Sequence, residues 1–362
     1  MPPTITAVVV SFADPAATGA ALRSLAAQTL APVELLVVDN APDGATARAL
    51  SAIPLVSGAL AAAALARGAV SAGPAVPDIR IVHSGSNLGY TRAANLAAGQ
   101  ASGEWLFFLN PDALAAPDCL ARLLEAVDGR DVAVVGAQVL LPDGRINAGE
   151  NPVNLAGFSW SGGYGRVREH GPARDVAAVS GAALLVRREA FLCAGGMCPY
   201  FFMYVDDTDL AWRLRLAGWR IRYCPGAVAV HDYAFQNGAE KWFYLERNRA
   251  WALLANLRLR TLALLAPLLL AAEAAVVRRA FSEGWLGEKV RAWCSLPAHG
   301  RQLIAWRRAV QSTRRVSDYE VLRLFCAGVH TGLLSAGLPR WAGPALARYR
   351  RALLGLLARA GW

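Results

Sequence analysis

Charged side chains are scarce in this sequence. Of its 362 residues, 18% are Asp, Glu, Lys or Arg and 55% are hydrophobic, whereas globular proteins carry about 25% charged residues. A disordered chain combines low hydrophobicity with high charge, so this composition excludes one. The length suffices for one large domain or two ordinary ones with a buried core.

The motifs of several common enzyme classes are also missing. The sequence has no GxxxxGK[ST] loop, no HExxH and no complete GxGxxG after its first apolar run. The string nearest to a GxSxG elbow, at residues 85–89, has Asn in place of the serine. These absences argue against a P-loop kinase or ATPase, a zinc protease, a dinucleotide dehydrogenase and an α/β-hydrolase.

Cysteine pairs with metal-binding or redox spacing are absent as well. The six cysteines are scattered, with no CxxC and no zinc-finger arrangement of Cys and His, which predicts mostly reduced core cysteines in a reducing compartment. The N-terminus, MPPTITAVVVSF, has no basic region and no cleavage site, and is interpreted as a strand rather than a signal peptide. We therefore expect the catalytic part to lie in the cytoplasm.

The positive charge is confined to one end of the chain. The net charge is +10, yet residues 278–362 hold 15 basic and 4 acidic side chains while residues 1–277 hold 22 and 23. An even basic shell is therefore not expected, and no nucleic-acid partner is predicted.

A long apolar run precedes this basic tail. Residues 261–277 contain Glu273 as their one charged residue, and paired arginines flank both ends of the run. A membrane-spanning helix needs about 20 apolar residues, so this run is short. It predicts an interfacial anchor on anionic lipid. The alternatives are a helical subdomain packed on the catalytic domain and a full membrane span, and a dimer interface for the tail also stays open.

Apolar runs of strand length alternate with helical patterns in the first third of the chain. The predicted strands and helices lie at residues 5–12, 15–28, 33–39, 79–83, 88–100 and 105–109. Such alternation is typical of an α/β fold with a mainly parallel sheet. Ligands bind beyond the carboxyl ends of strands in such sheets, which makes Asp39 and residues 110–112 candidate site residues. The Ala/Gly/Pro-rich stretch at residues 51–77 is interpreted as a helix and a loose connection without a site.

Several polar groups follow predicted strands or precede a predicted helix. Asp39 could accept hydrogen bonds from a base or a ribose hydroxyl, or cap a turn or helix. Asp112, beside Asn110, suits Mg²⁺ or Mn²⁺, although Asn-Pro-Asp is also a common turn. The acids at 206, 207 and 209 either favour the positive end of a helix or supply a general base. His231 alone is as compatible with a structural role as with a ligand role.

Taken in order, a series of strings resembles the inverting glycosyltransferases of family 2, especially their bacterial rhamnosyltransferase-like branch. The series covers about residues 5–255, and it is the order of the strings that makes it specific. The strings are VVVSF (8–12), VVDN (37–40), NLGY (87–90), FFLNPDA (107–113), SGAALLVRREAF (180–191), FFMYVDDTDLAWRLRLAGWRI (201–221), His231 and Arg247-Asn248-Arg249.

The resemblance implies a GT-A fold: a Rossmann-like, mostly parallel sheet in an α/β domain at residues 1–255. A C-terminal helical, membrane-associating extension would follow at residues 256–362. It implies a nucleotide-diphosphate-sugar donor, a glycan or lipid-linked acceptor of the cell envelope, and a divalent cation, Mg²⁺ or Mn²⁺. The enzyme would be peripheral on the inner face of the cytoplasmic membrane, and a homo-oligomer stays open.

The same resemblance assigns roles to individual residues. Asp207 falls on the general base and Asp206 beside it on the usual Glu, while Asp112 and His231 fall on the metal site. Arg247, Arg249 and Trp212 fall on positions near the diphosphate or acceptor. The residues expected to bind the nucleotide and the donor are Asp39, Asn40, Asp43, Asn87, Arg92, Asn95 and Asn110.

The chain departs from the family pattern at four places. Met197-Cys198-Pro199 replaces a common Phe-Asp-Glu, so two acids are missing near the acceptor side; Asp206 replaces Glu, Pro42 replaces Ser and Ala13 replaces Asn. The first departure motivates an alternative function, a catalytically degenerate sugar-nucleotide-binding or scaffold protein of a glycan-assembly complex. A nucleotidyltransferase is disfavoured because residues 11–14 offer no Gly-rich phosphate loop.

Overall fold

The computed structural model describes residues 3–51, 78–232, 238–328 and 342–361, and most of the stretch predicted at 51–77 lies outside them. The strands are β1 (Ile5–Ser11), β2 (Glu34–Asp39), β3 (Asp78–His83), β4 (Trp105–Leu109), β5 (Ala113–Ala115), β6 (Val132–Leu140), β7 (Ile146–Ala148), β8 (Glu150–Asn151), β9 (Arg174–Asp175), β10 (Ala178–Val179), β11 (Ala183–Arg187) and β12 (Arg220–His231). The helices are α1 (Pro15–Ala26), α2 (Ala45–Ser51), α3 (Gly89–Gln100), α4 (Cys119–Glu125), α5 (Arg188–Cys193), α6 (Asp206–Leu216), α7 (Glu240–Asn256), α8 (Leu259–Ser282), α9 (Leu286–Ala298), α10 (Gly300–Ser312), α11 (Asp318–Leu322) and α12 (Ala342–Arg359).

The main sheet is mixed, with the order β3-β2-β1-β4-β11-β6-β12-β5. Strands β3, β2, β1 and β4 run parallel, as do β6 and β12, while β11 lies antiparallel between β4 and β6. Alternate residues of β1 point into two cores, Val8 and Val10 on one face and Ala7 and Val9 on the other. Since both faces are covered, the central residues of β1, β2 and β4 are mostly apolar. The predicted α/β fold is confirmed.

Local sequence explains where the first helix begins. Pro15 occupies the first turn of α1, where its missing N–H costs nothing. The Asp14 carboxylate accepts a hydrogen bond from the Ala17 amide at 2.9 Å and so caps the helix. Helix α1 therefore leaves β1 at a defined point and returns the chain to β2.

The strand register brings the ends of several elements to one edge of the sheet. Ser11 lies beside Asp39, and Leu109 is paired with both Val9 and Ala183. The carboxyl ends of β1, β2 and β4 therefore meet the start of β11. This is the edge at which the sequence predicts ligand binding.

The C-terminal helices pack on the sheet domain. Leu257, Leu265, Phe325 and Leu353 belong to the same apolar core as the residues of β1 and β4. The expected domain boundary at 255/256 falls at the end of α7. Within the described part of the chain, α8 is long and apolar enough to cross a membrane by length and composition, and only 17% of its most apolar 18-residue window is buried.

All six cysteines are free thiols, but only half of them lie in the core. Cys119, Cys198 and Cys224 are buried, whereas Cys193 and Cys294 are exposed on α5 and α9. Burial raises the pKa of the Cys119 and Cys198 thiols, which keeps them protonated.

Candidate active site

Asp112 and His231, the two predicted metal ligands, lie side by side. The antiparallel pairing of β5 and β12 sets His231 opposite Ala113, and the His231 Nε2 atom lies 2.9 Å from Asp112 Oδ1. Burial opposes ionisation of Asp112, but the hydrogen bond and charge of His231 outweigh it and lower its pKa. The Asp112 side chain is 47% exposed, so one face of the pair remains open to a ligand.

The donor set fits a divalent cation that is shared with substrate. Hard cations in phosphate-transfer sites take one or two protein carboxylates and complete their coordination with phosphate oxygens and water. Among the described residues, no group of three His, Cys, Asp or Glu side chains forms a metal site on its own. An Asp–His pair at an open edge is therefore suited to a cation that arrives with a diphosphate.

Asp207, the predicted general base, is held by the segment that leads into β11. Its Oδ2 atom accepts hydrogen bonds from the Gly181 amide at 2.9 Å and from Asn151 Nδ2 at 3.2 Å. Its Oδ1 atom accepts the Thr208 amide at 2.6 Å. A Cβ atom at position 181 would lie 3.3 Å from the Asp207 Cβ, so glycine there permits the close approach.

Burial and mutual repulsion dominate the electrostatics of the acidic pair. The pKa of Asp206 is raised by its burial and by the charge of Asp207. Burial also raises the pKa of Asp207, against hydrogen bonds from Gly181 and Thr208 that favour the carboxylate. The pKa of Tyr90 on α3 is raised by burial and by the charges of both acids. The Tyr90 hydroxyl therefore stays protonated near the pair.

The metal-site and base-site segments meet at residues 181–182. The Asn110 amide, which follows β4, donates to the Ala182 carbonyl at 2.9 Å. The neighbouring Gly181 amide binds Asp207, as described above. The structure thus joins the Asn110–Asp112 turn and the acidic end of α6 through two adjacent residues at the carboxyl edge of the sheet.

Asp39 and Asp43 bind backbone amides of the turn that leads into α2. Asp39 is completely buried, and its carboxylate accepts the amides of Ala41 at 3.0 Å and Ala47 at 2.8 Å. Asp43 accepts the Ala45 amide at 3.0 Å. In this structure, both side chains therefore cap backbone amides, a role that the sequence left open for Asp39.

Asn40 and Asn87 tie the end of β2 to the start of α3. Asn40 Nδ2 donates to Asn87 Oδ1 at 3.0 Å, and Asn40 Oδ1 accepts the Leu88 amide at 2.9 Å. Asn87 Oδ1 also accepts the Gly89 amide. Gly89 has φ +73°, and a Cβ there would lie 2.5 Å from the Phe202 ring, so only glycine fits.

Arg92 and Asn95 bind the segment at residues 197–205, here called the strap, which connects α5 to α6. Asn95 Nδ2 donates to the Met197 carbonyl and its Oδ1 accepts the Met197 amide, both at 2.8 Å. Arg92 Nε donates to the Pro199 carbonyl at 2.9 Å. These side chains, predicted to line the donor pocket, therefore fasten the strap to α3.

Residues 197–199, where Met-Cys-Pro replaces the Phe-Asp-Glu common in the family, lie in the strap. Met197 and Cys198 are both fully buried, and Cys198 packs in an apolar cluster with Phe201 and Trp251. The residues that replace the common acidic motif thus serve the packing of the strap.

Arg247 holds the strap from its other side, whereas Arg249 and Trp212 lie in the interior. Arg247 Nη2 donates to the Tyr200 carbonyl at 2.9 Å. Arg249 is 3% exposed and pairs with Glu246 at 2.7 Å, and Trp212 is 2% exposed and packs edge-on against Phe325. Both side chains are therefore buried in this structure and expose no surface to a ligand, and their assignment to the diphosphate or acceptor stays a prediction.

Sequence reasoning missed three side chains that surround the acidic pair. They are Asn151, which binds Asp207; Tyr90, which lies within electrostatic reach of both acids; and Asn248, which binds the strap. Tyr90 and Asn248 lie within two of the strings that carry the family resemblance, which assigns neither residue a role. Asn151 lies in a polar stretch with no motif.

The sheet order and the polar groups at its carboxyl edge define a GT-A glycosyltransferase. The chain belongs to glycosyl transferase family 2, whose sequence profile matches residues 6–194. The profile of glycosyl transferase family group 2 matches residues 105–326.

Individual relatives place the chain in a rhamnosyltransferase-like branch. It is 30% identical over 245 residues to N-acetylglucosaminyl-diphospho-decaprenol L-rhamnosyltransferase of Mycobacterium tuberculosis, which covers 60% of this chain and 73% of the relative. It is 32% identical over 179 residues to O-antigen biosynthesis protein RfbC of Myxococcus xanthus, over 45% of this chain and 14% of that protein. The chain is therefore a rhamnosyltransferase-like enzyme related to proteins of polysaccharide biosynthesis.

A solved structure supports the fold. The crystal structure of GalNAc-T7 with UDP, GalNAc and Mn²⁺ superposes with a TM-score of 0.50 at 12% identity, over 70% of this chain and 48% of that chain. At this identity the likeness concerns the fold alone.

Proposed function

We propose that this glycosyltransferase moves a rhamnose-like sugar, with inversion, from a nucleotide-diphosphate donor to a hydroxyl of a lipid-linked glycan. The observation that carries the proposal is the joining of the Asp112–His231 pair to Asp207 through residues 181–182. The mycobacterial relative, named for transfer of L-rhamnose to N-acetylglucosaminyl-diphospho-decaprenol, supports the donor sugar and the acceptor class.

The proposed chemistry assigns one task to each part of the site. Asp112 and His231 would hold a divalent cation, which supplies positive charge for the departing diphosphate. Asp207, oriented by the Gly181 amide, removes the proton of the acceptor hydroxyl as that oxygen attacks the anomeric carbon. A single displacement inverts the configuration and needs no second nucleophile.

The C-terminal helices support a position at the inner face of the cytoplasmic membrane. The exposed positions of α8 are mostly apolar, with Leu259, Leu270 and Phe281 at 70–76% exposure. Arg260 and Arg278 are exposed near the two ends of the same helix. An apolar face between arginines suits the interface of an anionic bilayer, where a lipid-linked acceptor would be presented.

The experiment that tests the proposal begins with donor binding. The melting temperature of the purified protein is measured with a panel of nucleotide sugars, with and without Mg²⁺ or Mn²⁺. A ligand that binds only the folded state stabilises it by about 2.7 kcal/mol when its concentration is 100 times Kd, and this raises the melting temperature. We expect one donor to give a cation-dependent shift that Asp112→Ala loses and that the surface control Asp118→Asn keeps.

Transfer is then tested with the donor identified in this way. Asp207→Asn should keep the donor-dependent shift and lose transfer to the lipid-linked acceptor. Equal activity of Asp207→Asn and the unaltered chain would refute the base assignment. Donor binding without transfer to any acceptor would favour the scaffold alternative, and no shift with any donor would count against the whole proposal.

A further inference from the structure

The strap ends in a turn of unusual backbone conformation. Tyr204 and Val205 have φ values of +67° and +64°, and Val205 directly precedes Asp206 at the start of α6. Residues other than glycine rarely adopt this left-handed region, and a β-branched residue such as valine is a genuine outlier there. Such a turn persists only where its surroundings hold it.

Asn248 on α7 is positioned to hold this turn. It is fully buried, and its Nδ2 atom donates to the carbonyls of Met203 at 2.8 Å and Tyr204 at 2.9 Å. Its Oδ1 atom accepts Arg247 Nε at 2.9 Å, which orients the amide. The side-chain amide of Asn248 therefore donates hydrogen bonds to two consecutive backbone carbonyls just before the acidic pair.

We propose that Asn248 is a positioning residue: it holds the strained turn at residues 204–205 and thereby sets the orientation of Asp206 and Asp207. The inference rests on the proposed function in so far as that function makes Asp207 the base.

Loss of the Asn248 amide has a specific structural consequence. The carbonyls of Met203 and Tyr204 lose a buried donor, which penalises the turn as it stands. The turn then relaxes toward ordinary right-handed geometry and rotates the start of α6. Glycine at position 205 adopts the left-handed conformation without strain, so Val205→Gly should reduce the dependence of the turn on Asn248.

The test compares Asn248→Ala, Asn248→Ala with Val205→Gly, and Asn256→Ala. Asn256 is the matched control because it lies on the same helix, is fully buried and binds α6 through Asp209 Oδ1 at 3.0 Å rather than through the turn. The kcat and the KM for donor are measured with dTDP-L-rhamnose and N-acetylglucosaminyl-diphospho-decaprenol. Amide hydrogen exchange is measured for the peptide at residues 199–212.

We expect Asn248→Ala to lower kcat about ten- to a hundredfold, the effect of misplacing a reacting group by about 1 Å. The KM for donor should stay within about twofold, exchange should rise at residues 199–212, and the double variant should recover part of the lost kcat. Asn256→Ala should leave kcat within about threefold of the unaltered chain.

Three outcomes would overturn the inference. They are an unchanged kcat in Asn248→Ala, an equal fall in Asn248→Ala and Asn256→Ala, and a double variant no more active than Asn248→Ala. If the unaltered chain is inactive on these substrates, the proposed donor and acceptor are wrong. Exchange then decides the positioning claim, which fails unless the increase is local to the strap and reversed by Val205→Gly.

Discussion

At the scale of single residues, the acidic pair shows which electrostatic effect prevails. Asp206 and Asp207 lie in the first turn of α6, where the helix dipole favours negative charge by about 0.3–1 kcal/mol. Burial acts against ionisation and is the largest influence on both groups. The net result is a raised pKa for each, which is useful for a base because a carboxylate of ordinary pKa takes up a proton poorly near neutral pH.

The raised pKa values predict the shape of the pH profile. The base acts only when ionised, so kcat should fall as the pH drops through the raised pKa of the pair, above the ordinary range of aspartate. Asp206→Asn removes the neighbouring charge and should move this acidic limb to lower pH. The measurement is kcat as a function of pH for the unaltered chain and for Asp206→Asn. The apparent pKa of the acidic limb belongs to the coupled pair rather than to either aspartate alone. A limb at the same pH in both would contradict the prediction, and Asp118→Asn serves as the control.

Sequence could predict part of the site at this scale. Asp112 and His231 are 119 residues apart, yet the ordered strings implied their meeting, and the structure puts them 2.9 Å apart. The roles of Arg92, Asn95 and Arg247 at the donor, diphosphate or acceptor are implied by the family resemblance alone. Their bonds to strap carbonyls depend on how α3 and α7 approach the strap, which no local pattern encodes. The ligand roles of all these residues stay predictions.

At the scale of elements, a buried cluster of four charges joins three helices. Glu246 and Arg249 on α7 meet Glu273 on α8 and Lys289 on α9, and Lys289 Nζ lies 2.7 Å from Glu273 Oε2. Burial opposes ionisation of Glu246, but the positive charges and hydrogen bonds of Arg249 and Lys289 hold its pKa below its usual range. In the sequence, Glu273 stood alone in an apolar run, and its partners lie 24 and 16 residues away. The cluster therefore fixes the face by which α8 packs on α7.

Breaking this cluster should be costly. Glu246→Gln leaves two buried cations with one carboxylate, and removing one partner of a buried ion pair costs about 3–5 kcal/mol. The free energy of unfolding, measured in denaturant, should fall by that order. The control is Glu320→Gln, whose pair with Arg323 is about half exposed and should contribute less than about 1 kcal/mol. Equal small losses in both variants would contradict the prediction.

Element boundaries followed from sequence wherever apolar runs were buried on both faces. The run at 105–109 coincides with β4, and that at 33–39 with β2 to within one residue. The order of the strands in the sheet could not be predicted from the sequence in the same way. Strand β11 enters antiparallel between β4 and β6, and this insertion depends on tertiary pairing. The apolar run at 261–277 likewise covers only part of α8, which extends from Leu259 to Ser282, because the arginines at its ends are also good helix formers.

At the scale of the whole molecule, α8 turns its apolar face outward. At 3.6 residues per turn, its exposed positions fall on one arc of about 140° around the helix axis. Arg260 and Arg278 lie on that arc, about five turns or 27 Å apart. The opposite side is packed, with Thr261, Leu265, Val276 and Ala280 buried. A helix packed along one side and apolar along the other can lie in a bilayer interface while the catalytic domain stays in water.

Vesicle binding tests this orientation directly. Burying one leucine side chain is worth about 1.5–3 kcal/mol, so Leu270→Glu should weaken binding to phosphatidylglycerol vesicles at least about tenfold. Leu192→Glu, at a leucine that is 43% exposed on α5, should leave binding unchanged. Arg260→Gln with Arg278→Gln should weaken binding by about 1 kcal/mol per charge, and salt should weaken that of the unaltered chain. Equal binding to neutral and anionic vesicles at all ionic strengths, with Leu270→Glu no weaker than Leu192→Glu, would show that α8 does not face lipid.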